Sequence, residues 1–509
     1  DAYNVAVGFK AGENVSTGAQ NTILGGLAGD ALTTGNYNVA IGYQALSTED
    51  AHGANVAIGA NALLTLDAGA DGFNIAIGHD AGKLMTTGIN NTVIGGLAGD
   101  AINTGSQNVA VGKASLSSAT TASDNVGLGH GALSALTTSA RNVAIGTQAL
   151  NGAMATNSNT YNVAVGYQAG TAVTTGVQNT LIGGVAGTAL TSGVSNVALG
   201  YAALFTSVDG DNNTAIGYAA LLAYEDGDGN GHNTAVGASS QSAATTGEFN
   251  TSLGSLSMGA GVTTGDYNVA IGYQAGQALT SGSENIVIGQ GAGDALTTGT
   301  RNVAIGHAAL SAEDANGYNT AIGRSALNAL NAGADGYNVA VGYSAGAVMT
   351  TGVRNTVIGA IAGDAMTTGT DNTIVGERSG SAQTIASFNT SLGENSLFTN
   401  VASSNNTAIG VNALMAMTSA TAANGFNVAV GNTAGGAVTS GVQNTLLGYQ
   451  AGNAITTGDN NIIIGNNAAA SAVGADNETV IGTATTTNAI VHGLRKSVVA
   501  TPTNVAAPR

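Results

Sequence analysis

The sequence predicts an all-β fold: a repetitive parallel β-roll (β-solenoid) of about 28 rungs. Three observations carry this. A short core, Asn followed by three apolar or Thr residues and then Gly, recurs from Asn4-Val-Ala-Val-Gly8 through Asn21-Thr-Ile-Leu-Gly25, Asn38-Val-Ala-Ile-Gly42 and Asn268-Val-Ala-Ile-Gly272 to Asn461-Ile-Ile-Ile-Gly465. Of the 27 intervals between starts, 21 equal the step from Asn21 to Asn38, too short for a helix pair but enough for one coil of two short strands and two bends. The composition, with 78 Gly, no Trp, no Cys and 8% charged residues, suits neither a large aromatic core nor a highly charged disordered chain.

The repeat fills residues 1–490 as a rod and leaves 491–509 as a C-terminal extension or connector. At the inter-strand spacing, 28 rungs would extend about 130 Å. Asn at position 1 tolerates left-handed backbone and can bond the rungs above and below, so the predicted role is a structural ladder. The Asn-x-Ser/Thr sequon occurs at repeat starts only at Asn250 and Asn389. Position 5 is Gly in every copy, which predicts positive φ or a close backbone approach. Position 8 is small and is expected to pack inward on a second strand. Longer intervals begin at Asn55, Asn142, Asn213, Asn250, Asn319 and Asn406, and all place their extra residues in the second half of the repeat, in one loop on one flank.

Alternation puts positions 2 and 4 on one face of the strand. Position 4 is Ile, Val or Leu in all 28 copies, and position 3, facing the other way, is Ala, Val, Ile or Leu in 25. Both faces are therefore expected to be buried, one inside the coil and one against other copies, and the third position motivates the expectation of a homotrimer. The formal charge of −18, with only 11 Lys and Arg, argues against nucleic-acid binding. The absence of Cys excludes disulfides and thiolate metal sites. No apolar run reaches membrane-spanning length, and the chain starts at Asp1 without Met, so it is expected to be processed or truncated, with membrane anchoring only through segments outside it.

Candidate sites are few. Asp226-Gly-Asp228-Gly-Asn230 copies the first half of an EF-hand Ca²⁺ loop, with Gly237 where the closing Glu would stand; an acidic turn is the competing reading. Related acidic loops hold Asp209 and Asp211, Asp67 with Asp71, and Asp335. Of 21 aromatics, ten precede a repeat start and eight follow the Gly, as Tyr43, Tyr167, Tyr273 and Tyr343 do. Such rings can stack on sugars, and cross-strand ring pairs that pin register explain the same spacing. Candidate ligand contacts are these four tyrosines with Tyr224 and His232, and the loops Tyr224–His232 and 418–425. His79, His130 and His307 share the position after the Gly, and none of the six His accompanies a Ser or Cys nucleophile pattern, so no enzyme is expected. The recurrent Thr-Thr-Gly, as at Thr33-Thr34-Gly35, reads as a bend.

The Asn-x-x-x-Ile-Gly-like core resembles the head repeat of trimeric autotransporter adhesins of the YadA type. The wording Asn38-Val-Ala-Ile-Gly-Tyr-Gln-Ala-Leu46 looks like the longer repeats of bacterial surface fibres and phage tail fibres. The resemblance implies a trimer of left-handed parallel β-rolls. Residues Glu478 to Gly493 look like the strand pair that precedes an intramolecular chaperone in tail fibres. The expected function is thus an extracellular adhesive fibre, at an outer-membrane-attached cell surface, contacting a host-cell, matrix or glycan receptor; the alternative is a phage tail fibre on the virion.

Overall fold

The computed structural model describes residues 2–154, 158–225, 230–418, 424–483 and 485. The whole 491–509 extension and the end of the Glu478–Gly493 segment lie outside them. The chain divides into two compact units, Asp1–Ser344 and Ala345–Arg509. In the first, twenty three-residue strands, β1 (Val5–Val7) to β20 (Val339–Val341), pair each with the next in parallel. In the second, eight strands, β21 (Thr356–Ile358) to β28 (Thr479–Ile481), do the same. Register joins equivalent repeat positions, as in Val39 to Val56, Ala40 to Ala57 and Ile41 to Ile58. The predicted β-solenoid is the observed fold, and no helix occurs among the described residues.

The Asn column opens each strand as expected. Asn21 donates its amide to the Gly35 carbonyl at 2.9 Å, closing its own rung, and its side-chain oxygen accepts the Asn38 backbone N–H at 2.8 Å. Asn250 and Asn389, the sequon copies, are buried in this ladder. At the last rung Glu478 bonds back through its N–H to Asn461, while its carboxylate turns to Ser471.

Both readings of the fifth-position glycine hold together. Gly183 has φ +136°, and a Cβ there would lie 2.3 Å from the Gly200 carbonyl oxygen. The next segment departs from expectation. Each rung carries one strand, and the expected second strand is replaced by turns. Positions 7 and 9 take positive φ, as at Gln44 (57°) and Leu46 (53°), so the backbone cannot stay extended. The rungs still bond there: the Leu46 N–H reaches the Ala62 carbonyl at 2.9 Å. The small eighth residue does point inward, with Ala45 and Ala62 sealed. Thr33 bonds the Asp50 carbonyl through both its N–H and its hydroxyl, so the Thr-Thr-Gly bend is stitched between rungs.

The faces of the strand are assigned the other way round from the trimer argument. The third position is the inward one: Ala40 and Ala57 are 1% and 0% exposed, inside their own coil. The lumen takes Ala at most third positions and a bulkier residue at others, such as Ile23, Val93 and Leu181, all sealed, while the second and fourth residues face outward. The core is filled by positions 3, 8, 9 and 12, for example Ala57, Ala62, Leu63 and Leu66.

Candidate functional site

The outward face of the first unit's sheet is a stripe built from positions 2 and 4, apolar at every position 4 and interrupted at position 2 by Thr, as at Thr22 and Thr214. Val109, Leu128, Ile145, Leu199, Leu253 and Ile286 stand on it, each between about a third and a half exposed. Pleating puts these side chains on one side, and in-register stacking repeats them at every rung.

Two columns flank the stripe. One is position 17, just before each Asn, where the backbone is left-handed: φ is 59° at Tyr267, 57° at Arg301 and 61° at Tyr318. Seven successive rungs place His232, Phe249, Tyr267, Glu284, Arg301, Tyr318 and Tyr337 in this column. The rings of His232 and Phe249 stack at 5.0 Å, Phe249 and Tyr267 at 5.1 Å, and Tyr318 and Tyr337 at 4.9 Å. Between them Arg301 grips Glu284 with two hydrogen bonds of 2.9 and 3.1 Å and lies 5.5 Å from the Tyr318 ring centre. The guanidinium holds the Glu284 carboxyl below its ordinary range. Ring pairing therefore runs from rung to rung within a column.

The other column, position 6, is different. Tyr43, Tyr167, Tyr273 and Tyr343 are each about half exposed, and no ring stacks on them. Their column neighbours are small at Gly26 and Ala60 around Tyr43, and at Thr147 and Gly184 around Tyr167. A Cβ on Gly26 would lie 3.7 Å from the Tyr43 ring, so one ring face leans on glycine backbone. Isolated rings of this kind offer a face to an apolar or sugar ring, which the position-17 stack does not. Tyr201 and Tyr218, in the same column, stack on each other at 5.8 Å.

The loop candidates fare unevenly. Tyr224 is fully buried, and its hydroxyl donates to the Asn230 carbonyl at 2.9 Å. Its expected role as a ligand contact is corrected to that of a core residue, because its rung turns the ring into the lumen. His232 is exposed but occupied by its stack on Phe249. Asp226 and Asp228 lie outside the described residues, as do 419–423 of the other loop. Other loop carboxylates bond backbone: Asp71 takes the Gly53 N–H at 3.0 Å, Asp335 the Gly317 N–H at 3.1 Å, and Asp211 the Val194 N–H at 2.6 Å.

Glu49, Asp50, His52 and Asp67 each place one potential ligand atom within 4.8 Å of the others. Glu49 is sealed, and burial pushes its carboxyl above the usual range. Its oxygens accept the N–H groups of His52 at 3.0 Å and of Ala68, in the inserted loop of the next rung, at 3.2 Å. Glu313 repeats this with Asn316 at 3.0 Å and Ala332 at 3.2 Å, where Asn316 and Asn331 replace His52 and Asp67. The carboxylate is thus a loop cap in both places. Sequence reasoning missed it, although the Glu-Asp pair one rung before each of these insertions was visible.

No protein-family profile and no curated protein matches this chain.

Proposed function

We propose that this chain is a segment of an extracellular fibre whose copies associate, as a homotrimer, along the outward face of the sheet, and that the assembled fibre serves attachment to cells, matrix or glycans. The role is adhesive and structural, at the surface of a bacterium, and not catalytic. The observation that carries this reading is the uncovered apolar stripe. Twenty rungs at about 4.8 Å, and a stripe roughly 10 Å wide, amount to about 1,000 Å² on the first unit alone. Monomeric soluble proteins rarely expose that much contiguous apolar surface, and a stable interface needs about 800 Å² per partner. The YadA-like resemblance of the repeat core points the same way. Assembly would also multiply each weak surface contact, turning isolated tyrosines into a multivalent array.

Binding of the purified chain to host cells and to immobilised glycans tests attachment. Replacing Tyr43, Tyr167, Tyr273 and Tyr343 together by Ala is expected to lower binding without changing assembly, whereas Tyr267→Ala and Tyr337→Ala leave it unchanged. No binding by the intact assembled chain would make this segment a spacer and overturn the adhesive half of the reading.

A further inference from the structure

We propose that four of the six insertions exist to let a rung hold two large side chains in its core, at positions 9 and 12. In most rungs of the basic length only one of these positions is large and apolar. Where position 9 is Gly, position 12 is large and fills its place: a Cβ on Gly99 would lie 2.7 Å from Ile102 Cδ1, and one on Gly293 2.7 Å from Leu296 Cδ1. Where position 3 is also bulky, as at Leu181 and Leu446, position 9 is again Gly; a Cβ on Gly187 or Gly452 would approach the leucine to 2.8 or 2.6 Å. Where position 9 is Leu, position 12 shrinks or turns polar, as in Leu46 with Glu49, Leu116 with Ala119, Leu204 with Ser207 and Leu310 with Glu313.

Five rungs hold large residues at both: Leu63 with Leu66, Leu133 with Leu136, Leu221 with Tyr224, Leu327 with Leu330, and Leu414 with Met417, all of them at most 1% exposed. Four of these rungs, beginning at Asn55, Asn213, Asn319 and Asn406, are lengthened ones, whose ladder bonds reach the next Asn at Asn74, Asn233, Asn338 and Asn427. The fifth, from Asn125 to the next start at Asn142, has the basic length, and it alone has Gly, Gly127, at position 3. A Cβ on Gly127 would lie 2.6 Å from Ser115 Oγ and 3.5 Å from Leu116 Cδ1, both of the preceding rung, so the missing side chain makes room for that rung, and this fifth case stands outside the rule. Four of the five rungs with two large apolar core residues are therefore also rungs with extra backbone. Close-packed interiors do not absorb an extra isobutyl group otherwise. The capping carboxylates fit the same account, since Glu49 and Glu313 bond the loops of the enlarged rungs that follow them. The insertion beginning at Asn142 has Ala153 at position 12 and instead buries Met154, one residue on, with Leu150, while that beginning at Asn250 pairs Met258 with Gly261 and falls outside the rule.

The test is a double-mutant cycle in the full chain, read as the urea midpoint and as amide exchange in the rung. Deleting Gly333 and Ala334 returns the Asn319 rung to the basic length and is expected to lower the midpoint. Leu330→Ala lowers it in the parent but raises it in the deleted chain, a reversal of sign. Should the deletion prevent folding, Ala119→Leu serves instead, since it puts a second large apolar side chain with Leu116 in a rung of the basic length: it lowers the midpoint, and Leu116→Ala added to it restores part of the loss. A silent deletion, Leu330→Ala equally harmful in both backgrounds, or a harmless Ala119→Leu overturns the proposal.

Discussion

The side-chain oxygen of Asn162 accepts the backbone N–H of Asn179 at 3.0 Å, and Asn179 in turn does the same for Asn196 at 3.0 Å. This relation ties neighbouring rungs at the entry to the strand, in a buried site where water cannot take over either partner.

Asn179→Ala should therefore cost about 2–4 kcal/mol, because it strands both the Asn196 N–H and the Gly193 carbonyl that Asn179 now serves at 2.8 Å. Chemical denaturation measures it. Thr191→Ala, one rung segment away, should cost less than about 0.5 kcal/mol, since the Val208 carbonyl that it bonds keeps two backbone donors.

Gly183→Val combines an unfavourable φ of +136° with a Cβ at 2.3 Å from the next rung's backbone oxygen. Neither can be relieved by a side-chain rotation, so the rung should open, with loss of amide protection around residues 180–200. Unaltered melting and exchange would show that the glycine is merely tolerated.

Ala57→Glu now predicts a different failure from the one that the sequence suggested. The residue is sealed inside its own coil, so the charge should destabilise the chain by at least about 2 kcal/mol, as seen by denaturation of the chain itself. Dissociation of folded copies with unchanged chain stability would instead place position 3 between chains.

The Glu284–Arg301 pair carries a small pH dependence of known sign. The carboxyl is held below its unfolded value by Arg301, so its contribution is present above that unfolded value and fades as pH falls through the lowered folded one. Both partners are exposed, so salt should weaken the effect. Comparing the parent with Arg301→Ala across pH 3 to 7, at low and high salt, measures it; a larger difference at acid pH than at neutral pH would contradict the assignment.

Much of this fold was legible because each rung repeats the same local chemistry. The Asn ladder, the fifth-position glycine and the inward eighth residue followed from Asn21, Gly25 and their equivalents alone. The face assignment did not follow, because Ala40 and Ile41 are both apolar, and alternation separates the faces without saying which is inside. The second strand failed because Gln44 and Leu46 adopt left-handed backbone, which ordinary residues seldom take and no side-chain pattern announces. Tyr224 was misplaced because an aromatic beside an acidic loop looks exposed until its rung's core is counted. The surface columns were half legible: aromatic spacing gave the columns, but the contacts of Arg301 with Glu284 and Tyr318 within one column needed geometry.

The most direct measurement of the central claim is the mass of the purified chain in solution by sedimentation equilibrium, compared with a variant carrying Leu128→Glu and Ile145→Glu on the outward stripe. The account predicts a species of three times the 49.1 kDa chain mass for the parent, and folded chains that dissociate for the variant. A parent that remains a stable monomer at micromolar concentration, its stripe facing water, would contradict it.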